Sequence, residues 1–296
     1  MSGSNRSGAE GAAPRPSGTL SIVVPTRDRV ESLARCLTAL AAQRGPRDVE
    51  VIVVDDSPAG SVDVRTVELT DRMPMASLVS SGARGPAAAR NAGAAAGGGE
   101  IVCFTDDDCE PDPDWASKLA DRVDQGAAAV AGKTLNAVPA DRPAEASQHI
   151  ANYLGEYSRR SGAPFAASNN LACRAEIFRQ LRFDDSYPLA AGEDRAWCEA
   201  LANHGFELAY APGAIVRHRQ QLTARTFWRQ HARYGRGAYR FGRDRGGLLP
   251  SRGGLYPRLV GSAFAHGPRV GVLVCAAQVA TAAGFIDAAI AERRAR

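Results

Sequence analysis

The run Phe104-Thr105-Asp106-Asp107-Asp108-Cys109 directly follows Glu100-Ile101-Val102-Cys103, a short apolar stretch that reads as a buried strand. Three carboxylates are thus gathered at one strand end. Left to themselves they repel one another, so the cluster persists only in water or under a cation. In an open sheet of parallel strands, ligands bind at the C-terminal edge. The run therefore favours a fold that delivers a strand end to a polar crevice.

The surrounding pattern supplies such a sheet. Apolar runs at 20–25, 49–55, 76–80, 100–105 and 127–132 read as strands. Between them, 32–42, 86–96 and 113–123 carry helical signals: Leu33, Leu37 and Leu40 share a face, and Pro86 stands near a helix start. This βαβα order predicts an α/β fold, a largely parallel sheet with helices on both faces. Beyond Gly132 the pattern is irregular, with a strand at 169–173, a helix at 194–203, short strands at 206–210 and 214–218, and a long helix at 226–241. Residues 133–165 carry no readable pattern.

Composition excludes several classes. The net charge of +4 over 296 residues is too small to imply a nucleic-acid partner. The six cysteines form no CxxC pair and no zinc-type spacing, which predicts a reducing, cytoplasmic setting. Residues 1–18, rich in Gly, Ser, Ala and Pro, have no apolar core of a signal peptide and read as a disordered tail.

Other polar groups fall at element ends. The strand Val51-Ile52-Val53-Val54 ends in Asp55-Asp56-Ser57, where a carboxylate can accept from a base or ribose; the same residues also close turns and cap helices. Arg90, in the Ala-rich helix, is either a solvated side chain or a forked cation for phosphate. Gly192-Glu193-Asp194 opens a helix, where acids suit the helix dipole or serve as a general base. His218 ends a strand and can offer one neutral nitrogen to a metal.

In order, these pieces resemble the family 2 glycosyltransferases, which have a GT-A fold. The matching elements are Val24-Pro25-Thr26-Arg27-Asp28-Arg29, Val54-Asp55-Asp56-Ser57, Ala89-Arg90-Asn91-Ala92-Gly93, Phe104-Thr105-Asp106-Asp107-Asp108, Ser168-Asn169-Asn170-Leu171-Ala172, Gly192-Glu193-Asp194 and Val216-Arg217-His218. The resemblance covers about 20–239. It implies a nucleotide-diphosphate sugar donor, most simply UDP-linked, held by Pro25, Thr26, Arg27, Asp55, Arg90, Asp106 and Asp107. It implies Mn²⁺ or Mg²⁺ on Asp108, with Asp106 and His218 beside it. It implies Asp194 as catalytic base with Glu193 adjacent, and displacement with inversion at the anomeric carbon. Gln230-His231-Ala232-Arg233-Tyr234 nearly matches the Gln-x-x-Arg-Trp of processive synthases, so Gln230, Arg233 and Tyr234, with Trp197, are expected on the acceptor side. The multiple membrane spans of those synthases are not seen, which favours transfer of a single sugar. The acceptor stays open. A sugar nucleotidyltransferase is the alternative enzyme, disfavoured because Pro25-Thr26-Arg27-Asp28-Arg29 has no glycine. A non-catalytic nucleotide-sugar binding protein is the other, disfavoured by intact Asp106, Asp108 and Asp194.

On this reading 19–222 form the GT-A catalytic domain and 223–296 a basic and apolar helical extension. Arg225, Arg229, Arg233, Arg236, Arg240 and Arg243 fall on one helical stripe, and Phe227, His231, Tyr234, Ala238 and Phe241 on the opposite one. Two uses are open: the arginines face an anionic membrane, at the inner face of a cytoplasmic membrane, or some clamp the donor diphosphate. Residues 270–291 are apolar over the length of a membrane span, but they are Ala-rich and contain Gln278 and Asp287. A surface or docking helix is expected there.

Overall fold

The computed structural model describes residues 18–162, 165–187, 191–246 and 254–295. The expected disordered tail, apart from Gly18, lies outside the described residues.

The first third alternates strictly: β1 (Thr19–Thr26), α1 (Val30–Ala41), β2 (Asp48–Asp55), α2 (Val64–Asp71), β3 (Ala76–Ser80), α3 (Pro86–Ala96) and β4 (Ile101–Phe104). Next come β5 (Cys109–Pro111), α4 (Trp115–Asp124), β6 (Ala129–Asn136) and α5 (Arg142–Arg160). A 3-10 turn at Ser168–Asn170 leads into β7 (Leu171–Arg174), followed by α6 (Ala175–Gln180), α7 (Glu193–Asn203) and β8 (Leu208–His218). Three helices follow: α8 (Ala224–Asp244), α9 (Leu255–His266) and α10 (Pro268–Ala295).

The eight described strands form one sheet in the order β3-β2-β1-β4-β7-β6-β8-β5. The β3-β2-β1-β4 half is parallel throughout, β7 runs antiparallel to both neighbours, and β6 and β8 are parallel. Side chains of a strand alternate between faces, and the core divides accordingly. Leu20, Ile22 and Val24 of β1 pack with Leu33, Leu37 and Leu40 of α1 and Trp115 and Leu119 of α4. Val23, Ile52, Val54 and Phe104 turn the other way, toward Ala87 and Ala89 of α3, Phe178 of α6 and Trp197 and Leu201 of α7. A third cluster joins α5, α8, α9 and α10 through Ile150, Phe227, Leu259, Val270 and Val274.

Several expectations change. The two strands expected at 206–210 and 214–218 are one strand, β8; its pairing jumps from Gly132↔Ala211 to Lys133↔Ile215, so Pro212, Gly213 and Ala214 bulge out. The unreadable stretch 133–165 contains the end of β6 and all of α5. The arginines of α8 do not present one common face. Arg236 and Arg243 pair with Asp287 and Glu292 of α10 at 3.6 and 3.4 Å. Arg240 lies over the Tyr187 ring at 4.7 Å. Arg225 and Arg229 remain exposed. The expected stripe is divided because α10 brings acids to one side of it.

α10 is docked on α8 rather than standing free. A methyl added at Gly235 would overlap the Thr281 carbonyl, and one at Gly284 the Ala232 carbonyl, so only glycine permits this backbone approach. Among the described residues, α10 alone is long and apolar enough to cross a membrane, by length and composition only.

Candidate active site

β1, β2 and β4 run parallel, so Thr26, Asp55 and the acidic run emerge along one edge of the sheet. The three acids point three ways. Asp106 pairs with Arg90 of α3, Oδ1 to Nη2 at 2.6 Å. Asp107 is fully buried, accepting from Thr26 Oγ1 at 2.7 Å and from Arg29 Nε at 3.2 Å. Asp108 takes Arg29 Nη1 at 2.9 Å on Oδ2 and meets His218 Nε2 at 3.3 Å on Oδ1. The last contact follows from strand pairing, since β5 and β8 pair antiparallel with Cys109 opposite His218. His218 Nδ1 lies 3.2 Å from Gln148 Oε1 of α5; an amide oxygen accepts, so Nδ1 carries hydrogen and Nε2 faces Asp108.

The charges respond to these surroundings. Burial pushes the Asp107 carboxyl up to about 7, against the opposing pull of Arg29 and Thr26. Burial also works upward on Asp108, but His218 and then Arg29 outweigh it and hold the carboxyl well below its usual range. For His218 burial works downward, and Asp108 reverses the balance, so the imidazole is easier to protonate than usual.

Arg90 links this edge to α7. Its side chain is 4% exposed; beyond Asp106, its Nη1 lies 3.5 Å from Glu193 Oε1. Gly192 holds φ at 100°, a left-handed conformation that turns the chain into α7 with Glu193 and Asp194 in its first turn. Asp194 Oδ2 accepts from the Ser168 amide at 3.2 Å, while its Oδ1 is buried without a hydrogen-bond partner. Burial, reinforced by Asp194, pushes Glu193 up to about 8. Burial raises Asp194 as well, with Arg90 and Ser168 opposing. The pair titrates as a unit. Both carboxyls therefore resist ionisation despite the cation between them and Asp106.

A family model for glycosyl transferase family 2 matches residues 21–182, more than half of the chain. The chain belongs to glycosyltransferase family 2. The pre-mycofactocin glycosyltransferase of Mycobacterium tuberculosis is 30% identical over 76% of this chain and 48% of its own length. Glycosyltransferase AglE of Haloferax volcanii is 26% identical over 67% of this chain and 66% of its own. The chain thus spans about half to two thirds of the curated relatives it matches. Among solved structures, the mannosyltransferase PcManGT from Pyrobaculum calidifontis, in complex with GDP-Man and Mn²⁺, covers 95% of this chain and 89% of its own at a TM-score of 0.59 and 20% identity. TarS of S. aureus follows at a TM-score of 0.51 and 16% identity, covering 94% of this chain and 92% of its own. These two likenesses speak to the fold, which is that of GT-A enzymes.

Within this family 2 chain the donor set for a cation can be tested. The donor atoms of Asp108, Cys109 and His218 lie within 4.8 Å of one another. One carboxylate oxygen and one imidazole nitrogen suit Mn²⁺, and the oxygen suits Mg²⁺. Cys109 fits less well: burial, then Asp108, raises its thiol well above the usual value, and its Sγ lies 3.9 Å from Asp108 Oδ1 as a weak donor. Asp106, expected as a second ligand, is not in this group and is turned to Arg90.

Other expected residues are placed as follows. Asp107, expected at the donor, is fully buried and spends its carboxylate on Thr26 and Arg29 as an internal brace. Thr26 spends its hydroxyl on that brace. Asp55 is buried and accepts from the Ser57 amide at 2.7 Å, the turn-closing use of such a residue. Pro25 is half-buried, and Arg27 is exposed with Asp28 at 3.8 Å. Trp197 does not face an acceptor: it is 2% exposed, its indole nitrogen donates to the Leu181 carbonyl at 2.6 Å, and its ring packs near Phe178 and Phe183. Gln230 points to Ser147 of α5 at 2.8 Å. Arg233 and Tyr234 do approach α7. Burial raises the Tyr234 hydroxyl, against the pull of the Arg233 guanidinium, which lies 5.8 Å from the Tyr234 ring, and Glu193 and Asp194 add to the rise, while Tyr234 is 38% exposed.

Sequence reasoning gave no individual role to four residues that shape this site. They are Arg29, Gln148, Ser168 and Asp56; Asp56 was read only as one of the acids ending β2, and it accepts from Ser81 Oγ at 2.6 Å and from the Arg84 and Gly85 amides ahead of α3. Arg29, Asp56 and Ser168 lie inside motifs quoted above, so the motifs were a signal for them; Gln148 had none.

Proposed function

We propose that this crevice binds a nucleotide-diphosphate sugar and transfers a single sugar, with inversion, to an acceptor hydroxyl. The observation that carries this reading is the position of Arg90, with Asp106 at 2.6 Å on one side and Glu193 at 3.5 Å on the other. It sets a carboxylate of the acidic loop and the Glu193–Asp194 pair on either side of one buried cation. A donor-side group and an acceptor-side base must stand close for direct displacement. Asp194 is the proposed base: burial raises its carboxyl above that of a free aspartate, which makes its ionised form the stronger proton acceptor, and its Oδ1 has no hydrogen-bond partner. Asp55 and Arg27 would meet the nucleoside. Asp108 and His218 would hold Mn²⁺ or Mg²⁺, whose charge stabilises the leaving diphosphate when bound. Arg233 and Tyr234 would line the acceptor side. Residues 19–222 form the proposed catalytic unit and 223–296 its helical extension.

The test is release of nucleotide diphosphate from a panel of UDP-, GDP- and dTDP-sugars, with Mn²⁺ and then with chelator. Turnover of one donor that stops with chelator supports the reading and identifies the sugar. Asp194→Asn is expected to lower kcat by about a hundredfold or more while leaving the calorimetric Kd for nucleotide within about twofold. Equal turnover by this variant would remove Asp194 from the role of base.

A further inference from the structure

We propose that the outer face of α10, with its borders on α8 and α9, is a docking surface for an anionic phospholipid membrane. Val272, Val279 and Ile286 recur every seventh residue along α10, and Ile290 follows one turn later; they are 61%, 60%, 56% and 46% exposed. From 270 to 286 the helix carries no charged residue. Aromatics border this seam. The Phe264 ring lies against Gly271, beside Val272, and is 45% exposed. Trp228, 44% exposed, stands one turn before Ala232, whose backbone abuts Gly284 of α10. A soluble surface rarely keeps so long an apolar strip uncovered.

Charge identifies the occupant. Across α8, α9 and α10 the acids are Asp244, Asp287 and Glu292, and each is already engaged by an arginine. Arg225, Arg229, Arg258, Arg269, Arg293 and Arg294 are exposed, and no acid within 4 Å is seen for them among the described residues. An apolar strip bordered by Trp and Phe, with arginines at both ends, matches an interface of acyl chains and anionic headgroups. A second copy of the chain would bring these arginine sets together and repel. A full span would pull α10 from α8, breaking the Arg236–Asp287 and Arg243–Glu292 pairs and placing Asp287 near hydrocarbon.

The chain carries its own reporter. Of its three tryptophans, Trp115 and Trp197 are buried, leaving Trp228 to sense the surface. The experiment mixes the full chain with phosphatidylcholine vesicles, with and without phosphatidylglycerol, using flotation and quenching by brominated lipid. Binding to anionic vesicles with quenched emission is expected, weaker by about tenfold or more on neutral vesicles. Val279→Glu with Ile286→Glu is expected to abolish flotation while circular dichroism and soluble nucleotide release are retained. Arg293→Gln with Arg294→Gln is expected to weaken it about tenfold. The proposal is overturned if wild type fails to float, or binds neutral vesicles equally. It is also overturned if sedimentation shows a dimer that the double glutamate variant dissociates.

Discussion

Replacing Arg90 by methionine keeps much of the side-chain volume and removes the one cation shared by Asp106, Glu193 and Asp194. Truncating one partner of a buried pair costs about 3–5 kcal/mol. That figure is an upper bound here. Asp106 is 27% exposed on its side chain, so water takes over part of the lost pairing. Glu193, pushed up to about 8 with Arg90 present, is already largely protonated at neutral pH and loses little more. A loss of about 2–3 kcal/mol at pH 7.5 is therefore expected, a large share of a domain's total stability.

The pH dependence gives the sharper test. A carboxyl whose folded pKa exceeds its unfolded value binds more protons in the native state, so stability falls as pH rises from the unfolded value through the folded one. For Glu193 that window runs from about 4.5 to about 8. Arg90 opposes the rise at both Glu193 and Asp194. Its removal drives both carboxyls higher and extends the fall to higher pH. Urea unfolding followed by circular dichroism should show the gap between wild type and Arg90→Met widening from pH 5.5 to pH 8, with the slope m unchanged. A gap under about 0.5 kcal/mol at pH 8, or one that is larger at pH 5.5, would refute the reasoning.

Two further outcomes follow from the same charges. Glu193→Gln mimics the protonated form, so the share of the decline in thermal stability between pH 5 and 8 that Glu193 contributes should vanish while the shares of Asp107 and Asp194 remain, leaving the variant with a shallower decline and the more stable at pH 8 in scanning fluorimetry; a parallel decline would sink the assignment. Arg29→Gln frees Asp108 from a cation at 2.9 Å, so nucleotide-free protein should bind Mn²⁺ about threefold to fivefold tighter by electron paramagnetic resonance, and weaker binding would mean that Arg29 builds the site instead of competing for it.

What could be read from the residues depended on how local the cause was. β1, β2 and β4 announce themselves because they are buried on both faces and so read as continuous apolar runs. α5 gave no such signal because the residues it buries include Ala144, Ala146, Ser147 and Gln148, too small or too polar to mark a helical period. β8 looked like two strands because its bulge carries Pro212-Gly213, a turn signal in any local reading. Asp106, Asp108, Asp194 and His218 could be named from motifs. The pairing of Arg29 with Asp107, across 78 positions, and of His218 with Gln148, across 70, is set only by the assembled sheet and helices. Trp197 was misplaced for a related reason: helical position tells that a side chain lies on a face, not which neighbour covers it.

The acidic run first looks like one patch of repulsion waiting for an ion. In the fold it is three separate electrostatic problems with three solutions. Asp106 is answered by Arg90 from α3, Asp107 by Thr26 and Arg29 beneath the surface, and Asp108 by His218 and Arg29 at the rim. Of the three, only Asp108 can readily change partner: its imidazole can turn away, whereas Arg29 stays held by Asp107 as well. Asp107 cannot, because leaving its brace would strand a buried carboxyl whose burial already raises it to about 7. The three identical residues are therefore not interchangeable. One ties the loop to α3 and α7, one anchors it to β1, and one sits at the rim between His218 and Arg29.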